Sequence, residues 1–104
     1  MLAYRWTWII KQGRMEECLE LNTTTPGLRS KEYAKIRYYT PSISPQLFVV
    51  EMVVENEEAM HKWFAEFNAT SGAESFWEKM EALAERMIDG ERWNLTELGD
   101  WQSS

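Results

Sequence analysis

Three places in this 104-residue chain hold side chains that could do chemistry. The first is Glu51, set inside "LFVVEMVV", an otherwise apolar run from Leu47 to Val54. It shares strand parity with Leu47, Val49 and Val53. A carboxylate on such a face must be paired or wet, because a lone buried one costs on the order of several kcal/mol. Arg37, from the neighbouring hairpin strand, is the best-placed cation, with Tyr39 beside it and Arg5 from the first strand as an alternative. A polar cluster within an apolar cavity is a useful way to orient a small ligand. It could instead be a structural ion pair that sets hairpin register or dimer geometry, and this second reading carries more weight.

The second place is His61, the single histidine and the one side chain whose unperturbed pKa lies near neutrality. It could serve as a general base or heme ligand. It lies one residue from the apolar stripe of its helix, close to Glu57 and Glu58, which favours a solvated border residue. The third is Cys18, which falls on an apolar stripe and reads as inert core. With one Cys and one His the usual zinc ligand sets are unavailable, so no metal and no cofactor are expected. The five glycines are scattered, and none builds a phosphate-cradling loop. No serine stands in a strained elbow of the kind a hydrolase triad needs.

These residues need a scaffold, and the length allows one domain over 1–104 with a short tail at 99–104. A net charge of −6 makes nucleic acid and anionic membranes poor partners. No apolar run approaches the length of a membrane span, and no basic-then-apolar leader opens the chain. A lone cysteine fits a reducing compartment, so a cytoplasmic protein is expected.

The periodicities give an order of β-α-β-β-α-α-β. "YRWTWIIK" (4–11) alternates, with Tyr4, Trp6, Trp8 and Ile10 on one side, and predicts a strand. "RMEECLELN" predicts a helix that buries Met15, Cys18 and Leu19, closed by Pro26-Gly27. Strands over 34–40 and 47–55 form a hairpin. Asn56 caps the next helix, whose stripe is Met60, Trp63, Phe64 and Phe67. A further helix is predicted from about Ala73 to Ile88, ended by Asp89-Gly90, and "RWNLTEL" (92–98) supplies the fourth strand.

Both crossovers in this order are right-handed, and in a four-stranded antiparallel sheet ordered 4-1-3-2 they put every helix on one face. Yet the third strand is apolar toward both faces. An exposed patch on the order of several hundred Å² is rare on soluble monomers. A second copy packed sheet to sheet covers it, so a homodimer is expected. Which face carries Trp6 and Trp8 stays open, since a one-residue slip exchanges the two sets.

With that order in place, "IIKQGRMEECLEL" is similar to the passage "V-K-P-G-K-x-x-E-F-L-E-L" that opens many dimeric α/β-barrel proteins, with Gln12 where Pro is usual. "IRYYTPSISPQLFVVEMVVENEEAMHKWF" resembles the hairpin and following helix of the same group, and "SFWEKMEALAERMIDGERW" its extra helix before the last strand. The superfamily includes antibiotic-biosynthesis monooxygenases, heme-degrading monooxygenases, stress-responsive barrel proteins and NIPSNAP-like proteins. The resemblance implies a ferredoxin-like α+β fold, a dimer, and a cavity between sheet and helices or within the shared barrel.

It does not imply a reaction, because related folds host unrelated functions. The heme-degrading relatives use an Asn on the first strand, a Trp on the third and a His on the helix after it. Only His61 has a counterpart here, so heme is not expected. The cofactor-free monooxygenases line their cavities with Trp, Tyr, Asn and Arg, types this chain has at Trp6, Trp8, Tyr38, Tyr39, Arg37 and Arg5. The expectation is a homodimer binding a small apolar or aromatic molecule. The alternative is a cofactor-independent monooxygenase or isomerase acting on an aromatic or carbonyl compound.

Overall fold

A computed structural model of the chain describes residues 1–42 and 46–95. Its elements are β1 (Leu2–Ile10), α1 (Met15–Thr24), β2 (Ala34–Tyr39), β3 (Leu47–Val54), α2 (Glu57–Asn68), α3 (Ala73–Leu83) and β4 (Ala84–Asn94). The described strands form one sheet in the order β2-β3-β1-β4, with every neighbouring pair antiparallel. This is the ferredoxin-like α+β arrangement, in the order 4-1-3-2 that the sequence predicts.

The two longest central strands fix the register. Tyr4 lies opposite Met52, Trp6 opposite Val50, and Trp8 opposite Phe48. Their side chains share the face that the helices cover, and Phe48, Met52 and Val54 are fully buried there. Each such side chain taken out of water contributes about 1.5–3 kcal/mol. From the helices Trp63, Phe67, Phe76, Met80 and Leu83 close the same core. Phe67 stacks on Trp63 with centroids 5.6 Å apart and meets Phe76 edge-on at 5.5 Å. Such aromatic pairs add to plain area burial.

Local chemistry sets the helix limits. Asn56 accepts a hydrogen bond from the Ala59 amide at 2.9 Å, the cap expected for α2, and Glu57 and Glu58 sit at its positive end. After α1 the chain turns at Gly27, whose φ of +87° strains any other residue.

The last third departs from the sequence reading. α3 stops at Leu83, and residues 84–90, read as the end of a helix and its Asp-Gly stop, belong to β4. β4 pairs with β1 from Ile10 opposite Ala84 to Leu2 opposite Asn94, with register shifts between Arg5 and Thr7 and between Ile9 and Ile10. Local helix propensity in "AERMI" is a weak prior, and the unpaired edge of β1 outweighs it. Of the strand expected over 92–98, residues 92–94 are in β4; residues 96–98 and the tail at 99–104 lie outside the described residues. No helix among the described residues is long and apolar enough to cross a membrane.

Candidate functional site

The register carries Glu51 to the face the helices leave open. There it stands between two arginines, opposite Arg5 on β1 and opposite Arg37 on β2. Arg5 takes the carboxylate: its Nε donates to Glu51 Oε2 at 2.7 Å. The Tyr39 hydroxyl donates to Oε1 at 3.1 Å, so both oxygens are engaged and Glu51 is only 4% exposed. The hydrogen bond to Glu51 raises the Arg5 pKa above its ordinary value. Arg37, the cation the sequence placed first, makes no ion pair with Glu51 among the described residues. It is exposed on the outer strand. The structure therefore joins Arg5, Tyr39 and Glu51 and leaves Arg37 beside them.

His61 lies far along another surface. Its side chain is exposed, and Nε2 sits 3.3 Å from Glu57 Oε1 on the preceding turn of α2. Cys18 is fully buried, and burial pushes its thiol up to about 11, so little thiolate exists near neutrality.

A different place has the form of a ligand site. Between the sheet and the helices lies a cavity of about 330 Å³. Its sheet wall includes Trp6, Trp8, Ile36, Tyr38, Val50 and Met87. Its helical wall includes Trp63, Phe64, Phe76, Trp77 and Met80, with Leu28 at the turn after α1. The volume is at the small end of ligand sites, and the lining is of the apolar, aromatic kind such sites use. On the helical wall two indole N–H groups are already spent: Trp63 donates to the Arg29 carbonyl at 3.0 Å and Trp77 to Asn68 Oδ1 at 2.8 Å. No carboxylate, imidazole, ammonium or guanidinium is among the described lining residues. Burial raises the Tyr38 pKa, which keeps its hydroxyl protonated.

The register settles the open question of the tryptophans: Trp6 and Trp8 wall this cavity. Arg5, Arg37, Tyr39 and Glu51 stand on the other side of the sheet, and neither they nor His61 reach it. Sequence reasoning missed Asn22. It is 4% exposed and lines the cavity from α1. Its signal was spacing: Cys18 and Asn22 are four apart, so they share a helix face, whereas Leu19 turns outward.

The sequence matches no protein-family model and no curated protein. Solved structures match across nearly the full chain and define its class by fold: a ferredoxin-like α+β domain of the kind found in NIPSNAP and antibiotic-biosynthesis-monooxygenase-like proteins. A NIPSNAP family protein from Agrobacterium tumefaciens superposes with a TM-score of 0.73 at 16% identity, covering 92% of this chain and 93% of that one. An uncharacterised NIPSNAP domain protein from Burkholderia xenovorans gives 0.75 at 15% identity, covering 92% and 95%. A candidate antibiotic biosynthesis monooxygenase from Deinococcus radiodurans gives 0.70 at 14% identity, covering 93% and 94%.

Proposed function

We propose that this chain is a cytoplasmic homodimer that binds a small, flat apolar or aromatic molecule in the cavity between its sheet and helices. One observation carries the reading: a space of about 330 Å³ walled almost wholly by aromatic and aliphatic side chains. Apolar area removed from water supplies the affinity at about 25 cal/mol per Å².

The dimer rests on the other face of the sheet. Leu47, Val49 and Val53 are only half-buried there, and Ile88 and Trp93 are exposed. A second copy laid sheet to sheet would cover them and would enclose the Arg5–Glu51–Tyr39 cluster. In this reading the cluster fixes how the two sheets meet and is not the ligand site.

A cofactor-independent oxygenase or isomerase is the second reading, favoured by the fold neighbours described as candidate monooxygenases. Such chemistry begins with removal of a substrate proton. The described lining offers no base for it, which is why binding is the conclusion.

Calorimetric titration with 2-methylnaphthalene tests the cavity. The wild-type protein should bind it, and Val50→Phe, which fills the space from β3, should abolish binding while retaining the native circular dichroism. A folded wild-type protein that gives no binding heat with either 2-methylnaphthalene or 2-naphthol rules the reading out. Oxygen uptake on adding 2-naphthol would transfer the conclusion to the oxygenase.

A further inference from the structure

The cavity holds one buried amide that the fold does not use up. Asn22 comes from α1, and its Nδ2 donates to the Cys18 carbonyl at 2.8 Å and approaches Met80 Sδ at 3.4 Å. These contacts fix the orientation of the amide, because an oxygen in place of Nδ2 would face the Cys18 carbonyl oxygen. Oδ1 therefore takes the other side of the planar group. It accepts no hydrogen bond among the described residues. It is also not one of the fully enclosed polar atoms without a partner, among which the described residues show the Tyr4 hydroxyl. Asn22 lines the cavity, so the side of the amide left over for the cavity is the acceptor.

From this geometry we infer that Asn22 determines specificity: the ligand carries a hydrogen-bond donor, a phenolic O–H or a heteroaromatic N–H, and Asn22 Oδ1 accepts it. The inference rests on the cavity-binding reading and narrows it to a chemical class. A wholly apolar occupant would strand a desolvated amide oxygen, and an unmade hydrogen bond is more costly than a made one is favourable. An occupant presenting a carboxylate or carbonyl would meet that oxygen with another lone pair. The surrounding rings suit a flat donor. Trp63 and Phe64 meet edge-on at 5.2 Å, and Trp77 lies 4.9 Å from Phe76. Planar aromatics pack well against walls of this kind.

The other side-chain oxygen among the described lining residues is the Tyr38 hydroxyl, which could also accept, whereas the indole N–H groups of Trp6 and Trp8 only donate. The test separates the two. Affinities of 2-naphthol and its apolar isostere 2-methylnaphthalene are measured by calorimetry for the wild-type protein, Asn22→Leu and Tyr38→Phe. Asn22→Leu should weaken 2-naphthol about tenfold, the effect of one buried hydrogen bond, and leave 2-methylnaphthalene unchanged or tighter. Tyr38→Phe should keep the wild-type discrimination between the two probes. If Asn22→Leu weakens both probes equally, or if Tyr38→Phe is the variant that loses discrimination, the assignment to Asn22 falls while the cavity reading stands. If the wild-type protein binds neither probe, the cavity reading itself falls.

Should Asn22→Leu not fold, the wild-type protein still decides the matter. The Asn22 side-chain carbonyl-carbon resonance should move clearly further on adding 2-naphthol than on adding 2-methylnaphthalene, whose ring current alone acts on it. Equal shifts with both overturn the inference.

Discussion

Gly90 on β4 lies directly against the indole of Trp6: a Cβ at position 90 would stand 2.9 Å from Trp6 Cδ1 and 3.0 Å from Nε1. The ring is held by neighbours on its other sides, so the cavity is the side toward which it can yield. Tyr4 stacks on it at 6.0 Å and Phe64 meets it edge-on at 5.4 Å. Position 90 falls in the stretch where the β1–β4 register shifts, so the backbone of one strand supports the cavity wall provided by the other.

Gly90→Ala should therefore act on both fold and site. Overpacking of this kind costs about 1–3 kcal/mol. Thermal unfolding should show the loss, and calorimetry should show weaker 2-methylnaphthalene binding, since a displaced Trp6 moves into the cavity. An alanine variant with wild-type melting and affinity would show that the indole yields freely.

Arg5 and Glu51 supply the second prediction. Arg5→Ala leaves a nearly enclosed carboxylate with Tyr39 as its sole remaining partner in the cluster. Because the Arg5 side chain is itself 45% exposed, the pair is partly screened and the loss should be about 1–2 kcal/mol. If the open face is the dimer face, the native mass by light scattering should shift toward a single chain. Arg37→Ala should cost less than Arg5→Ala in the same assays. The reverse ranking would contradict the pairing.

Cys18 sets a limit at high pH. Its thiol ionises near 9 in the unfolded chain and at about 11 in the folded one, because burial disfavours the thiolate. Above pH 9 the unfolded state releases a proton that the folded state retains, so stability falls as pH rises toward 11. The loss from this group amounts to roughly 2–3 kcal/mol. Denaturant midpoints measured between pH 8 and 11 should decline, and Cys18→Ala should flatten the decline. Alkylation by iodoacetamide should be slow at pH 7 for the same reason.

His61→Ala should change little. The imidazole is exposed and touches Glu57 within its own helix. Substitutions at such sites stay within about 0.5 kcal/mol. Melting temperature, native mass and probe binding should all match the wild type. Loss of binding would give the histidine a role that its position does not suggest.

Much of the fold could be read from the chain because its signals are local. The alternation in "YRWTWII", the amide-capping Asn56 and the Trp63–Phe67 stripe each follow from periodicity or short-range hydrogen bonding, and each occurs as read. Residues 84–90 misled for the complementary reason. Met87 stands four residues beyond Leu83, so it continues a helical stripe, yet it pairs with Trp8 across the sheet. Nothing within that segment records that β1 has a free edge to satisfy. Glu51 gives a finer case. Two arginines stand opposite it, one on each side, and spacing cannot rank them.

The sequence by itself determined the element order, the apolar character of both sheet faces and the place of a carboxylate among them, since composition and period act over a few residues. Tertiary structure decided which arginine holds that carboxylate and on which face the tryptophans lie. It also decided that a buried asparagine, and not the conspicuous charged cluster, reaches the cavity. Those outcomes depend on strand register and on contacts between residues distant in the chain. A slip of one residue would reverse them without altering a single local preference.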